Sequence, residues 1–246
     1  MLIKLFKYDF TALGRLLAPI SGVLLILSAA LGFNLRGEFN LENWTMIPII
    51  LGVLLLFLVF FAFMLTFVLT ITRFKQNLLG NQGYLSFSLP VSTAEHIASK
   101  FLASLLWFIL IGIVSGACFF VVATLSTPEI LRKLTLPYIR QFLADLDLPI
   151  SLTDVLITLL LSASSGLLHI YASIAIGHLW QKHSTLLGII AYVVLSIINS
   201  RVLFYLSRTA FFAAHYTGAS IAFNLVFSLI YAFICWIILE RRLNLE

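Results

Sequence analysis

Ser162, Ser165, His169 and Ser173 recur at i, i+3, i+7 and i+11, which places them on one face of a helix. A histidine among serines suits nucleophilic chemistry, with the imidazole serving as base for a hydroxyl. Such chemistry also needs a group that orients the imidazole, and no carboxylate lies nearby in the chain. A membrane-embedded enzyme built on this stripe is therefore set aside, and no catalytic residue is assigned. The surrounding residues are apolar, with Gly166 and Gly177 beside the stripe. Small and polar groups aligned this way face a partner helix or a wet cavity rather than lipid, so the four residues are candidates for a helix interface or a pathway. His169 is expected to pack and hydrogen-bond to a neighbouring helix, in preference to acting as a substrate or proton site. Asn199 and Asn224 are read as interhelical hydrogen bonders for the same reason. His178 and His183 would need help from elsewhere to hold a metal, and no metal site is assigned.

Other chemistry is missing too. The chain contains no Gly-x-x-x-x-Gly-Lys-Ser/Thr phosphate loop, no His-Glu-x-x-His and no Gly-x-Ser-x-Gly. If ATP is used, it must sit on another polypeptide. Acidic residues cluster outside the apolar runs, so a relay of buried carboxylates, and with it a secondary transporter, is disfavoured.

The elements that position these residues follow from composition. Hydrophobic residues make up 61% of the 246-residue chain and charged ones 10%, with mean hydropathy +1.09. Soluble domains carry about 25% charged residues, so a water-soluble fold is excluded. Six stretches are apolar for about the 20 residues a span needs: roughly 16–33, 46–72, 101–125, 155–177, 184–200 and 216–239. The expected fold is all-α, a polytopic membrane protein forming one transmembrane domain over 1–246. The fifth span is short unless it continues past Arg201, whose side chain can reach the interface. The start of the chain mixes charge with apolar residues and is not read as a signal peptide. Cys118 and Cys235 fall within spans and behave as small apolar residues. The net charge of +5 is ascribed to membrane orientation, since no aromatic-interleaved basic patch points to nucleic acid.

Residues 1–15 read as an interfacial amphipathic helix. Leu2, Phe6, Phe10, Leu13 and Leu17 form an apolar stripe, and Lys4, Lys7, Thr11 and Arg15 lie opposite. Nine lysines and arginines fall on the side holding the termini, 73–100 and 178–183, against six on the other. Cytoplasmic loops carry the excess, so both termini are expected in the cytoplasm of a cell-membrane protein. Ser92-Thr93-Ala94-Glu95 reads as a capping box starting span three, and Ser151-Leu152-Thr153-Asp154 as a similar start for span four. The extracytoplasmic segment 126–154 is expected to hold a short helix after Thr127-Pro128-Glu129, and is too small for a separate domain.

The stretch 73–100 separates spans two and three and is neither apolar enough for lipid nor polar enough for a slack linker. Gly80, Gly83 and Pro90 are expected to make turns that present Leu78-Leu79 and Tyr84-Leu85 as knobs for another protein. The phrase Asn77-Leu78-Leu79-Gly80-Asn81-Gln82-Gly83-Tyr84-Leu85-Ser86-Phe87-Ser88-Leu89-Pro90-Val91-Ser92, after Arg73-Phe74-Lys75, resembles the first inner loop of ABC-2-type permease subunits of bacterial ABC transporters. The six-span layout resembles them too. The outer segment departs from better-known members, lying between spans three and four rather than as a large domain between five and six. That resemblance implies an ATPase-coupling loop at 73–90, with Arg73, Leu78, Leu79, Tyr84, Leu85 and Phe87 as contact residues. It also implies a connecting helix at 1–15 carrying Lys4, Lys7 and Arg15. A separate ABC ATPase would hold ATP and Mg, and a second permease copy or paralogue would complete the pathway. The implied function is export of a hydrophobic or amphiphilic substrate such as a peptide, antibiotic or lipid. The alternative from another class is a non-transporting immunity or scaffold protein that binds a partner.

Overall fold

A helix in lipid satisfies its own backbone hydrogen bonds, so long apolar runs become helices whatever they pack against. The computed structural model describes residues 2–35, 46–80, 91–126, 152–179, 183–209, 212 and 215–241. Its helices are α1 (Leu2–Asn34), α2 (Met46–Phe74), α3 (Thr93–Ser126), α4 (Leu152–Gly177), α5 (Ser184–Ser207) and α6 (Tyr216–Arg241). A π-helical turn, Lys75–Leu79, continues α2. All six helices are long and apolar enough to cross a membrane, and no strand occurs among the described residues. The chain is an all-helical, multi-pass membrane protein.

Two boundaries differ from expectation. The amphipathic segment is helical, with Lys4, Lys7, Thr11 and Arg15 exposed and Leu13 and Leu17 buried on the opposite face. However, no break separates it from the first span, because α1 is one helix of 33 residues. The residues between, Ala12 to Ala18, include no turn former strong enough to end a helix, and Pro19 removes only one backbone bond. At about 1.5 Å per residue such a helix exceeds the ~30 Å hydrocarbon core, so it must tilt or project beyond it. The second difference is α5, which runs past Arg201 to Ser207, with Arg208 set over the Phe204 ring at 4.3 Å. The segment 126–154 lies mostly outside the described residues, as does the tip of the 73–100 loop.

The chain divides into two compact units. Met1–Lys7, Thr70–Leu105 and Ile150–Glu246 form one, and Tyr8–Leu69 with Leu106–Pro149 form the other. In the second unit, α1 and α3 run parallel. The Phe10 and Trp107 rings stack at 5.1 Å, and Trp107 Nε1 donates to the Phe10 carbonyl at 3.0 Å. Gly14 makes that approach possible, since a Cβ there would sit 2.8 Å from the indole. Further along, a Cβ on Gly32 would meet Leu125 at 2.7 Å. Small residues that let helices close in are the usual means of association where hydrophobic burial offers little drive.

In the first unit, α4 packs against both α5 and α6. Its core gathers Phe74, Leu78 and Leu79 with Ile97 of α3, Tyr171 of α4 and Tyr231 and Cys235 of α6. The helix α5 has no fully buried residue and meets α4 through half-buried positions such as Gly188, Ala191 and Leu195, with most of its apolar surface turned outward. The capping box at the start of α3 forms as its sequence predicts. Glu95 N donates to Ser92 Oγ at 3.3 Å, and Ser92 N donates to Glu95 Oε2 at 3.1 Å. Ser92→Ala is expected to lower stability by about 1 kcal/mol, the usual worth of a side-chain cap. Denaturant unfolding in detergent would show it, and Glu95→Gln, which keeps an acceptor, should lose less.

Candidate functional site

Phe74, at the end of α2, lies flat on Tyr171 of α4, with ring centroids 4.1 Å apart and planes 9° off parallel. Both rings are fully buried. The Tyr171 hydroxyl shares a hydrogen bond with Ser104 at 3.0 Å and donates to the Lys100 carbonyl at 3.4 Å. One tyrosine on α4 therefore holds the end of α2 through its face and α3 through its hydroxyl. The π-turn that follows widens the helix by one residue per turn and swings Leu78 and Leu79 inward. Lys75 reaches the other way, its Nζ donating to Thr185 Oγ1 at the start of α5 at 2.7 Å.

This geometry corrects part of the expected coupling surface. Leu78 and Leu79 are 0% and 5% exposed and belong to the core, so they are not knobs offered to another chain. Apolar residues on the last turn of a span find apolar neighbours on α3, α4 and α6 before they find solvent. Arg73 is half-buried beside them. Tyr84, Leu85 and Phe87 lie outside the described residues.

The α4 stripe is only partly assembled as its spacing suggests. Ser165, His169 and Ser173 are buried, whereas Ser162 is exposed. The hydroxyls of Ser162 and Ser173 donate to carbonyls of their own helix, at Leu159 and His169. These two serines are satisfied locally and are not glue between helices. His169 has a hydrogen bond with the backbone of Tyr192 on the neighbouring α5, while its Nε2 is buried without a partner among the described residues. Its ring is held between Tyr192 of α5 and Tyr231 of α6, at 4.6 and 4.8 Å and within 17° of parallel. Asn224 also departs from expectation, its amide donating to Ser220 O on its own helix. Asn199 Oδ1 is buried and finds no partner among the described residues.

Tyr171, Tyr192 and Tyr231 are the residues the spacing argument missed. The signal was available, since tyrosines favour membrane interfaces and one well inside a span has a hydroxyl to satisfy. His178 is half-buried and His183 exposed. Among the described residues, no three His, Cys, Asp or Glu side chains come close enough to hold a metal.

An apolar groove of about 400 Å³ opens between α3, α4 and α6. Ala94, Ala98 and Ala232 leave the space, and Phe101, Phe233 and Trp236 wall it. Its volume falls within the range of small-molecule sites, but it offers almost no polar group to orient a ligand. Comparison of the chain with known protein families, with curated proteins and with solved structures finds no match.

Proposed function

We propose that this chain is the membrane subunit of a two-component ABC exporter, moving a hydrophobic or amphiphilic cargo such as a peptide, antibiotic or lipid. ATP and Mg would sit on a separate ATPase, and a second permease copy or paralogue would complete the pathway. The observation that carries the reading is how the 73–90 loop is anchored. Its entry is fixed by the Phe74–Tyr171 stack and by buried Leu78 and Leu79, and its exit by the Ser92–Glu95 cap. A loop held rigidly at both ends passes a push directly to α4, the helix that bears His169. In this reading the loop and both termini face the cytoplasm, and ATPase closure favours one of two arrangements of the spans. The apolar groove supports a greasy cargo.

With Leu78 and Leu79 inside, docking falls to Tyr84, Leu85 and Phe87. Removing an interface anchor commonly costs about 2 kcal/mol or more, roughly thirtyfold in affinity. Tyr84→Ala with Leu85→Ala is expected to preserve expression and membrane insertion while abolishing copurification of the ATPase or its stimulation by cargo. A double mutant that binds its ATPase and transports normally would make the loop a cover over the helix ends. A wild-type chain that binds an ATPase without raising its turnover would favour the scaffold reading.

A further inference from the structure

Nearly every serine hydroxyl on α4 and α6 that makes a hydrogen bond folds back onto its own helix. Ser162, Ser164 and Ser173 do so on α4, and Ser220 and Ser228 on α6. Two groups cannot do the same. A phenol is too long and too rigid to reach its own helix backbone, and a histidine ring held between two aromatic faces cannot turn. His169 Nε2 and the Tyr231 hydroxyl are accordingly both buried with no hydrogen-bond partner among the described residues. The residues are 7% and 2% exposed, and their rings stack at 4.8 Å. Leaving either atom unsatisfied in an apolar interior is costly, and leaving both members of one stacked pair so is more costly still.

We propose that His169 Nε2 and the Tyr231 hydroxyl bind one small hydroxylic group, a water molecule or a single alcohol function, within the membrane-spanning helices. A hydroxyl is the chemistry that fits, because it donates and accepts at once. It can therefore serve an imidazole nitrogen in either tautomer and a phenol in either orientation. A charged ligand is disfavoured, since the charged residues of α4, α5 and α6 are Asp154, Arg201, Glu240 and Arg241, each nine or more positions along its helix from His169, Tyr192 or Tyr231. The two rings lie in adjacent, nearly parallel planes, so one small occupant is assigned to both polar atoms. Buried waters take this role in proteins, bonding otherwise unsatisfied polar groups. Tyr192, 42% exposed on the outer face of the stack, leaves one edge of the site near the surface. The assignment does not depend on transport.

The test uses the full chain in lauryldimethylamine oxide micelles, a detergent without hydroxyl groups. Histidine is labelled with nitrogen-15, and the His169 signal is assigned by its loss in His169→Phe. Magnetisation transfer to the His169 ring from water alone is the expected result. Transfer only after decanol is added would identify an alcohol as the occupant and still support the site. No transfer from either would overturn it. Stability supplies an independent reading that separates a filled site from an empty one. His169→Phe and Tyr231→Phe keep both rings stacked, so each should reduce the folded-to-unfolded ratio roughly threefold if a ligand is lost. Their combination should cost less than the product, because the second change removes a partner already gone. If either single change stabilises the protein, the atoms are bare, and if the two effects multiply, they share no ligand. Each of those outcomes overturns the proposal.

Discussion

Replacing Gly177 with alanine is expected to unfold or severely destabilise the α4–α5 hairpin, while the same change at Gly188 is tolerated. The two glycines face each other, yet their missing side chains point differently. A Cβ on Gly177 would run into the backbone nitrogen of Gly188, with its Cα at 2.5 Å and the Ser184 carbonyl at 2.6 Å. Those atoms are backbone and cannot step aside, so the helices must separate. A Cβ on Gly188 meets nothing nearer than the Ser173 carbonyl at 3.6 Å, an ordinary contact. Overpacking a tight contact usually costs about 1–3 kcal/mol, and a clash with backbone belongs at or above the top of that range. Gly166→Ala, with open space around it, serves as the control and should change stability by less than about 0.5 kcal/mol. Thermal unfolding and folded yield in detergent would measure all three. Equal tolerance at 177 and 188 would mean that the helices do not approach closely there.

Phe74→Ala is expected to cost about 3 kcal/mol, while Phe57→Ala on the same helix costs little. The transfer of a phenyl ring from lipid to protein gains almost nothing, since lipid tails are as apolar as the interior. What Phe74 contributes is packing: a flat contact on Tyr171 at 4.1 Å in a fully buried position. Its removal leaves a cavity that rigid neighbours on α4 and α6 cannot close. Phe57 is 61% exposed on the outer face of α2, where lipid refills the space. Phe74→Leu should fall between the two. In the exporter reading, Phe74→Leu also separates stability from coupling. Such a protein is expected to fold and to bind its ATPase while stimulating it less, because the loop entry is loosened. Denaturation midpoints, together with ATPase turnover of the assembled complex, would give both quantities. Identical losses at Phe74 and Phe57 would show that burial in the core is not what holds α2.

Local sequence determines the six spans, because a run of about 20 apolar residues in lipid has no better backbone structure than a helix. The start of α3 is equally local, since the cap joins residues three apart, and so is the amphipathic face of α1 with Lys4, Lys7 and Arg15 outward. What the sequence left open is which apolar residues meet protein and which meet lipid. In water that choice can be read from hydrophobicity, but in a bilayer both sides are apolar and the pattern carries little of it. Leu78 and Leu79 are therefore indistinguishable by type from surface knobs, and the tertiary fold turns them into core through a π-turn and a tyrosine two helices away. Gly177 and Gly166 look alike in the chain, and only the approach of α5 makes one of them indispensable. The polar stripe on α4 was visible from its spacing. That His169 would be held between Tyr192 and Tyr231 was not, because those rings come from helices 23 and 62 residues further on and meet it only when the helices pack.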